Sequence, residues 1–329
     1  MKIAAIGECM IELSARPSNS DGDGAAANNT ANNTANNTMA MAYGGDTLNT
    51  AVYLARLSRD NAITNAITVD YLTALGDDPY SDEMIAFWRR EGIGTGLVAR
   101  LPGRLPGLYA IRTDSEGERS FHYWRGAAAA RQMMQGTEGA RLAEALCGYD
   151  LIYLSGITLS ILPLEDRATL MAALDRAVTA GARIAFDCNF RPRGWPDLAA
   201  ARLAMDQMYG RCHIALPGLA DECALHGEMD APRAAERIAA LGAPEICLKD
   251  GGMGCLLRLG EKAQSLAAEA VPDAVDTTAA GDSFNAAYLY HRLTGASIGA
   301  AARAGHRLAA RVIQYPGAVI PLDAMPGKQ

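Results

Sequence analysis

The chain has 329 residues, of which 50% are hydrophobic and 20% charged, a balance that supports a large buried core and excludes general disorder. The formal net charge is −7, and the Lys and Arg residues are dispersed, which disfavours a nucleic-acid partner. The seven cysteines form no C-x-x-C pair, so neither a disulfide framework nor a zinc site is indicated. The sequence shows no secretory pattern and no apolar run of about 18 residues. We therefore expect a cytoplasmic protein without a membrane partner that acts on small molecules.

Short apolar runs alternate with Ala- and Leu-rich helical stretches along the chain, which predicts an α/β fold with a doubly wound, mainly parallel sheet flanked by helices. The predicted strands are 3–6, 71–74, 151–154, 184–186, 214–216 and 246–248, and the helices between them include 46–57, 164–180 and 231–241. Ligands of such sheets bind beyond the carboxyl ends of the strands. Polar residues follow several strands there: Glu8, Asp187, Asn189, Arg191, Lys249 and Asp250.

Residues 18–41 form a polar, low-complexity insert that contains Asn-Asn-Thr three times. The lack of periodicity predicts a flexible loop. Asn28, Asn32 and Asn36 match the glycosylation sequon, but without a secretory signal the match carries no weight. We expect a local expansion without a role of its own.

Directly after the insert, Gly44 and Gly45 precede a predicted helix that begins with Asp46 and carries Asn49. The glycines let a ligand approach the backbone, and two polar side chains three residues apart share one face of the first turn, where they suit sugar hydroxyls. An ordinary capped helix start explains the same pattern, so the motif alone leaves both interpretations open.

A predicted β-hairpin interrupts the alternation, with arms at 107–112 and 119–125 around a polar turn at 114–117. Alternate residues Phe121, Tyr123 and Arg125 share one face, so the hairpin is a candidate lid that offers an aromatic surface ending in a cation. A hairpin that simply packs this face on the core is the alternative.

The segment 276–284 places Ala279, Ala280 and Gly281 directly before Asp282, at the predicted start of a helix. Small side chains leave the backbone N–H groups accessible, and a helix N-terminus favours anions. A carboxylate at this point is placed to take the proton from a hydroxyl that attacks a phosphate. Taken alone, Asp282 as a plain helix cap explains the pattern as well.

The Gly-Gly-Asp-x-x-Asn motif at 44–49 and the Asp-Thr-Thr-Ala-Ala-Gly-Asp motif at 276–282 resemble, in order and distance, the two signatures of the PfkB or ribokinase-like carbohydrate kinases. The similarity runs from Met1 to about Met325. Five further segments resemble the 2-keto-3-deoxygluconate kinases of that family: 7–13, 104–109, 121–125, 189–193 and 312–318. The resemblance implies a ribokinase-like core at 1–11, 47–97 and 127–329, with a small β-rich lid at 12–46 and 98–126.

The resemblance implies that the γ-phosphate of ATP is transferred to the 6-hydroxyl of 2-dehydro-3-deoxy-D-gluconate. Asp282 would be the general base, and backbone amides from Ala279, Ala280, Gly281 and Asp282 would hold the developing charge. Family residues that line the sugar site correspond to Gly44, Asn49, Tyr109, Tyr123, Arg125 and Arg191, and the local pattern adds Gly45 and Asp46. The substrate carries a carboxylate, for which the guanidiniums of Arg125 and Arg191 are suited.

Nucleotide contacts are expected at Lys249, Gly251, Gly252, Gly254 and His306, although a plain hairpin turn explains 251–254 without the resemblance. Mg²⁺ is expected with ATP, because it offsets phosphate charge. The usual Asn-x-x-Glu motif of the family has no clear counterpart, since residues 217–222 lack Asn. Asp221 or Glu222 is expected to substitute, acting through water. The usual glycine of the anion motif is Ala279 in this chain.

Two other functions stay open at this point. One is another PfkB-type kinase, acting on fructose, ribose or a nucleoside, and the other is a non-catalytic sugar-binding or regulatory protein on the same fold. Retention of Asp282 argues against the second. The aromatic lid face favours a homo-oligomer, a dimer or larger.

Overall fold

The computed structural model describes residues 1–15, 39–59, 67–113 and 119–326. Most of the predicted insert, with Asn28, Asn32 and Asn36, and the predicted turn at 114–117 lie outside the described residues. None of the helices in the described ranges has the length and apolar character needed to cross a membrane.

Fourteen strands and ten α-helices are described in these ranges. The strands are β1 (Lys2–Ile6), β2 (Met10–Ala15), β3 (Met39–Gly44), β4 (Thr68–Leu72), β5 (Ala74–Leu75), β6 (Ala99–Arg100), β7 (Gly107–Thr113), β8 (Arg119–Trp124), β9 (Leu151–Ser155), β10 (Arg183–Asp187), β11 (Ile214–Ala215), β12 (Glu245–Lys249), β13 (Cys255–Leu259) and β14 (Lys262–Leu266). The helices are α1 (Asp46–Ser58), α2 (Pro79–Arg90), α3 (Gly136–Ala145), α4 (Gly156–Ile161), α5 (Leu164–Thr179), α6 (Leu198–Tyr209), α7 (Leu219–His226), α8 (Ala231–Leu241), α9 (Ala280–Leu293) and α10 (Ile298–Val312).

The large sheet has eight described strands in the order β14-β13-β12-β11-β10-β9-β1-β4. Within this sheet β4, β1, β9, β10, β11 and β12 pair in parallel, and β13 and β14 add an antiparallel edge. The chain leaves β1 for β4 on one side and later returns to β9 on the other, so the strand order reverses between β1 and β9. The predicted doubly wound fold is confirmed, and ligands of such folds bind at this reversal.

Both faces of the large sheet are buried. Ile3 and Ala5 of β1 belong to the core cluster packed against α1, α9 and α10, whereas Ala4 and Ile6 belong to the cluster on the other face. Burial on both faces explains why the strands read as short continuous apolar runs in the sequence.

The strand predicted at 71–74 is displaced in the structure. β4 begins at Thr68 and includes Asp70, whose side chain accepts a hydrogen bond from the Tyr149 hydroxyl at 2.7 Å. Thr73 interrupts the strand, and its carbonyl accepts a hydrogen bond from Ala99 at 2.9 Å as the chain turns to pair with β6. The prediction was wrong here because a partnered polar residue lies inside the strand.

Two helix starts show signals that are visible in the sequence. The side chains of Asp78 and Asp230 accept hydrogen bonds from the amides of Ser81 and Arg233, and a proline lies in the first turn of α2 and α8. Both features satisfy or remove N–H groups that lack a partner within the helix.

The small sheet has the strand order β3-β2-β7-β8. β2 is antiparallel to β3 and parallel to β7, and β7 and β8 form the predicted hairpin. One face carries an aromatic cluster in which the rings of Tyr109 and Tyr123 lie 5.9 Å apart, with Phe121 adjacent. We call this sheet the lid; the boundaries 12–46 and 98–126 stay a prediction.

Candidate active site

Asp282 lies in the first turn of α9, and the residue that caps the start of this helix has a left-handed backbone conformation. Ala279 precedes the helix with φ 60° and ψ 16°. The amide of Ala280 donates to the Thr277 carbonyl at 3.2 Å, and the amide of Ser283 donates to the Ala279 carbonyl at 2.9 Å. No acceptor for the amides of Gly281 and Asp282 occurs among the described residues. These two donors are therefore available to an anion at the helix N-terminus.

Helix α1 holds the carboxylate of Asp282. Asn49 Nδ2 donates to Asp282 Oδ2 at 2.8 Å, and the Thr50 hydroxyl donates to the Asp282 carbonyl at 3.2 Å. Asn49 Oδ1 is buried and has no hydrogen-bond partner in the described part of the chain. The structure thus brings the early Gly-Gly-Asp-x-x-Asn motif into direct contact with the late motif.

Three carboxylates come together at this edge of the sheet. Burial, followed by the charges of Asp46 and Asp187, raises the pKa of Asp282 to about 8, against the lowering effects of the Asn49 hydrogen bond and Lys249. Burial also raises the pKa of Asp46, although Asn189 Nδ2 donates to Asp46 Oδ2 at 2.8 Å. A carboxylate with raised proton affinity is suited to act as a general base near neutral pH.

Lys249 ends β12 beside the same carboxylates. Its Nζ lies 3.3 Å from both carboxylate oxygens of Asp187 and 2.9 Å from Asn285 Oδ1. A Cβ atom at Gly281 would lie 3.8 Å from this ammonium group. The cation therefore lies close to the N-terminus of α9, next to the unpaired amides.

Gly44 and Tyr109 meet where the lid joins the core. A Cβ atom at position 44 would lie only 2.5 Å from the Tyr109 hydroxyl, so a larger residue here would force the Tyr109 side chain to shift. That hydroxyl donates to Glu12, a buried acid of β2 that sequence reasoning missed. Its signal was an acidic residue flanked by Ile11 and Leu13 in the strand. Tyr123, on the same lid face as Tyr109, is 44% exposed.

The two predicted arginines differ in their partners. Arg125 Nη2 pairs with Glu8 Oε2, and its guanidinium lies 5.8 Å from the centre of the Tyr123 ring. Arg191 is 56% exposed, and its Nη1 lies 3.6 Å from Asp221 Oδ1. The charge of Arg125 is balanced by a buried carboxylate, whereas Arg191 is held only loosely.

Asp221 and Glu222 are adjacent but face different surroundings. Burial and the charge of Asp187 raise the pKa of Asp221 to about 6, although Arg191 and Lys249 lower it. Glu222 is fully buried, and its two oxygens accept hydrogen bonds at 2.5 Å from the Tyr209 hydroxyl and from Arg237 Nη2. No group of three or more acidic, His or Cys side chains in the described ranges could hold a metal ion. Both oxygens of Glu222 are occupied, so Asp221 is the better candidate of the two for a role at the site.

The predicted nucleotide glycines follow β12, whereas Lys249 is the last residue of that strand and His306 lies in α10. Gly251–Met253 form one turn of 3-10 helix that links the antiparallel strands β12 and β13, which is the hairpin geometry of the alternative interpretation. Gly254 has φ 118°, and a Cβ atom there would lie 2.0 Å from the Leu266 carbonyl oxygen. His306 stacks edge-on against Phe284 with the rings 5.0 Å apart. Gly252 is exposed and lies in the same turn.

Solved structures show that the whole fold is ribokinase-like. A PfkB protein from Polaromonas sp. JS666 matches with a TM-score of 0.77 at 22% identity, covering 95% of each chain. The ribokinase of Thermotoga maritima matches with a TM-score of 0.71 at 23% identity, covering 98% of this chain and 95% of the other.

Residues 1–325 match the family model of the pfkB family carbohydrate kinases. The chain is also 43% identical, over 98% of both sequences, to the 2-dehydro-3-deoxygluconokinase of Dickeya dadantii (strain 3937). The chain belongs to the pfkB family and is an ATP-dependent carbohydrate kinase, so the resemblance noted in the sequence is confirmed.

Proposed function

We propose that this protein is a sugar-acid kinase that transfers the γ-phosphate of ATP to the 6-hydroxyl of 2-dehydro-3-deoxy-D-gluconate, giving the 6-phosphate and ADP. The observation that carries the proposal is the Asp282 carboxylate, fixed by Asn49 at 2.8 Å beside two unpaired helix amides. The choice of sugar acid is supported by the 43% identical relative that bears the name 2-dehydro-3-deoxygluconokinase.

In the proposed reaction, Asp282 takes the proton of the 6-hydroxyl as its oxygen attacks the γ-phosphorus. The bond from that phosphorus to the β,γ-bridging oxygen breaks, and its electron pair leaves with ADP. The amides of Gly281 and Asp282 and the ammonium of Lys249 stabilise the negative charge on the transferred group. The proton leaves Asp282 after product release.

Charge at the phosphates needs further compensation. Magnesium supplies it when bound with ATP, since it offsets the charge of the β- and γ-phosphates. Asp221 would hold this ion through water, because its carboxylate is only loosely paired with Arg191 at 3.6 Å. His306 and the glycines at 251, 252 and 254 stay predicted nucleotide contacts.

The carboxylate of the sugar acid is assigned to Arg125 and Arg191. Arg191 attracts the carboxylate of the substrate more strongly than Arg125 does, because the charge of Arg125 is already offset by Glu8. Gly44, Gly45, Asp46, Tyr109 and Tyr123 complete the proposed sugar site. Cation and carboxylate pair well here because a guanidinium forms two parallel hydrogen bonds to a planar acid.

The outer face of the lid supports the predicted homo-oligomer. It carries an apolar hollow of about 570 Å³ lined by Leu13, Met39, Leu108, Ala110, Arg112, His122 and Trp124. Trp124 is 63% exposed. Apolar surface of this kind marks interaction sites, so Trp124→Glu should lower the mass in solution measured by light scattering. The cytoplasmic location stays a prediction.

The deciding experiment is coupled ADP release with magnesium ATP, comparing 2-keto-3-deoxygluconate with fructose, ribose and gluconate. We expect the keto-deoxy acid to lead by at least about a hundredfold in kcat/KM, since one charged contact supplies that discrimination. Asp282→Asn should lower kcat by about 10² to 10⁴, whereas Asp175→Asn at an exposed ion pair serves as the matched control.

Two outcomes would reject the proposal. A neutral sugar as the best acceptor would make the protein another kinase of the family. No turnover with any of these acceptors would exclude 2-keto-3-deoxygluconate as the substrate of this kinase. Phosphorus NMR of the product tests the site of transfer, since the phosphate must be coupled to the C6 protons.

A further inference from the structure

The Glu8–Arg125 ion pair joins the two sheets at the sugar site. Glu8 follows β1 of the large sheet, and Arg125 follows β8 of the lid. Arg125 Nη2 donates to Glu8 Oε2, and the Glu8 side chain is 1% exposed. The nearby glycine at 107 shapes the space, because a Cβ atom there would lie 2.8 Å from Glu8 Oε1.

Each member of this pair has one buried polar atom without a hydrogen-bond partner in the described part of the chain. Glu8 Oε1 and Arg125 Nε are both shielded from solvent and have no hydrogen-bond partner among the described residues. Buried polar groups in folded proteins are nearly always hydrogen-bonded. An unpaired acceptor and an unpaired donor on one ion pair therefore indicate that a polar group is bound here during function.

The chemistry of the two atoms selects that group. A second carboxylate or a phosphate would be repelled by Glu8, and a cation would be repelled by Arg125. A neutral hydroxyl fits, because it donates one hydrogen bond and accepts up to two. In 2-keto-3-deoxygluconate the 6-hydroxyl is committed to Asp282, which leaves the secondary hydroxyls at C4 and C5.

We propose that Glu8 is a specificity-determining residue: its Oε1 accepts a hydrogen bond from a secondary hydroxyl of the sugar acid, while Arg125 Nε donates to the same hydroxyl. This inference rests on the proposed function and adds a recognition contact to it. Glu8 also holds Arg125 in place, so carboxylate recognition falls mainly to Arg191.

The test compares three changes: loss of the Glu8 carboxylate from the enzyme, loss of one hydroxyl from the substrate, and both losses together. Wild type and Glu8→Gln are assayed by ADP release with 2-keto-3-deoxygluconate and with its 4-deoxy and 5-deoxy analogues. We expect Glu8→Gln to lower kcat/KM for the full substrate about 10- to 100-fold, with the KM for ATP unchanged. For the analogue that lacks the contacting hydroxyl, the two enzymes should agree within about threefold.

Glu91→Gln is the matched control, because it breaks another Arg–Glu pair that lies outside the proposed site. In this pair Arg56 Nη2 lies 2.8 Å from Glu91 Oε1. The control variant should lower the urea midpoint without changing the KM for the sugar. Glu8→Asp is the second variant if Glu8→Gln does not fold, since it keeps the charge and withdraws the oxygen.

The failures are distinguishable. If Glu8→Gln lowers kcat/KM by the same factor with the full substrate and with both analogues, Glu8 makes no contact with a hydroxyl and the inference is overturned alone. If wild type does not phosphorylate 2-keto-3-deoxygluconate, the proposed function is overturned and this inference with it.

Discussion

Replacing Asp282 with Asn is expected to stabilise the ligand-free protein by an amount that grows with pH. Burial, with the charges of Asp46 and Asp187, raises the pKa of Asp282 from 3.8 to about 8. Between these pH values the native state binds a proton that the unfolded chain has released. The free energy of unfolding of the wild type therefore falls as pH rises through this window, whereas an amide at 282 does not titrate.

The magnitude follows from the same two pKa values. Each tenfold change in proton affinity is worth about 1.4 kcal/mol, so a pKa moved from 3.8 to about 8 corresponds to at most about 6 kcal/mol. Asp282 is only half-buried, and solvent screens its interactions with the neighbouring carboxylates. We therefore expect Asp282→Asn to be about 2–3 kcal/mol more stable than the wild type near pH 9, with little difference near pH 4.

The assay is urea unfolding without ligands, followed by tryptophan fluorescence, at a series of pH values from about 4 to about 9. Asp175→Asn is the control, because Asp175 is 53% exposed in a surface pair with Arg211. It should change the midpoint little at any pH. A stability difference for Asp282→Asn that does not depend on pH, or that favours the wild type near pH 9, would refute the assignment of a raised pKa to Asp282.

Three further predictions concern strain, the two adjacent acids and the sugar acid. Ala279→Val should cost about 1–3 kcal/mol in urea unfolding and lower kcat, because a β-branched residue is strained at φ 60°, whereas Ala279→Gly should keep activity. Glu222→Gln should cost about 1–3 kcal/mol, because it weakens the buried hydrogen bonds of Glu222 with Tyr209 and Arg237, although Arg237 keeps its pair with Asp206 at 2.8 Å; it should not change the Mg²⁺ concentration that gives half-maximal activity, whereas Asp221→Asn should raise that concentration. Arg191→Met should raise the KM for the sugar acid about 10- to 100-fold and leave the KM for ATP unchanged; equal loss with both substrates would contradict a role in carboxylate binding.

Much of the fold was predictable because the signals are local. Apart from the run at 71–74, the short apolar runs coincide with strands of the large sheet, and the helices predicted at 46–57, 164–180 and 231–241 match α1, α5 and α8 within about one residue. The meeting of Asn49 and Asp282 is a consequence of the same pattern. Both follow turns that open helices at the carboxyl edge of the large sheet, and a doubly wound topology gathers such turns at one place.

The partners of individual acids were not predictable from the sequence. Asp221 and Glu222 are neighbours, but successive helix positions point about 100° apart, so only one of them faces the site. Which one it is depends on Tyr209 and Arg237, contributed by two other helices. The Glu8–Arg125 pair likewise needs the placement of the lid on the core, because it spans 117 residues and two separate sheets.

The three carboxylates of the site differ in role because their partners differ. Both oxygens of Asp187 lie 3.3 Å from the Lys249 ammonium, and Oδ2 also accepts from Asn285 at 2.7 Å. Asp46 is held by Asn189. Asp282 receives one hydrogen bond at Oδ2, and no donor to its Oδ1 occurs in the described part of the chain. The charges of Asp46 and Asp187, each held by an amide side chain, therefore raise the proton affinity of Asp282, which keeps one carboxylate oxygen without a donor among the described residues. Asp282 is distinguished from the other two acids by its hydrogen-bond partners and its raised proton affinity. These partners come from distant parts of the chain, so the motif at 276–282 alone does not predict them.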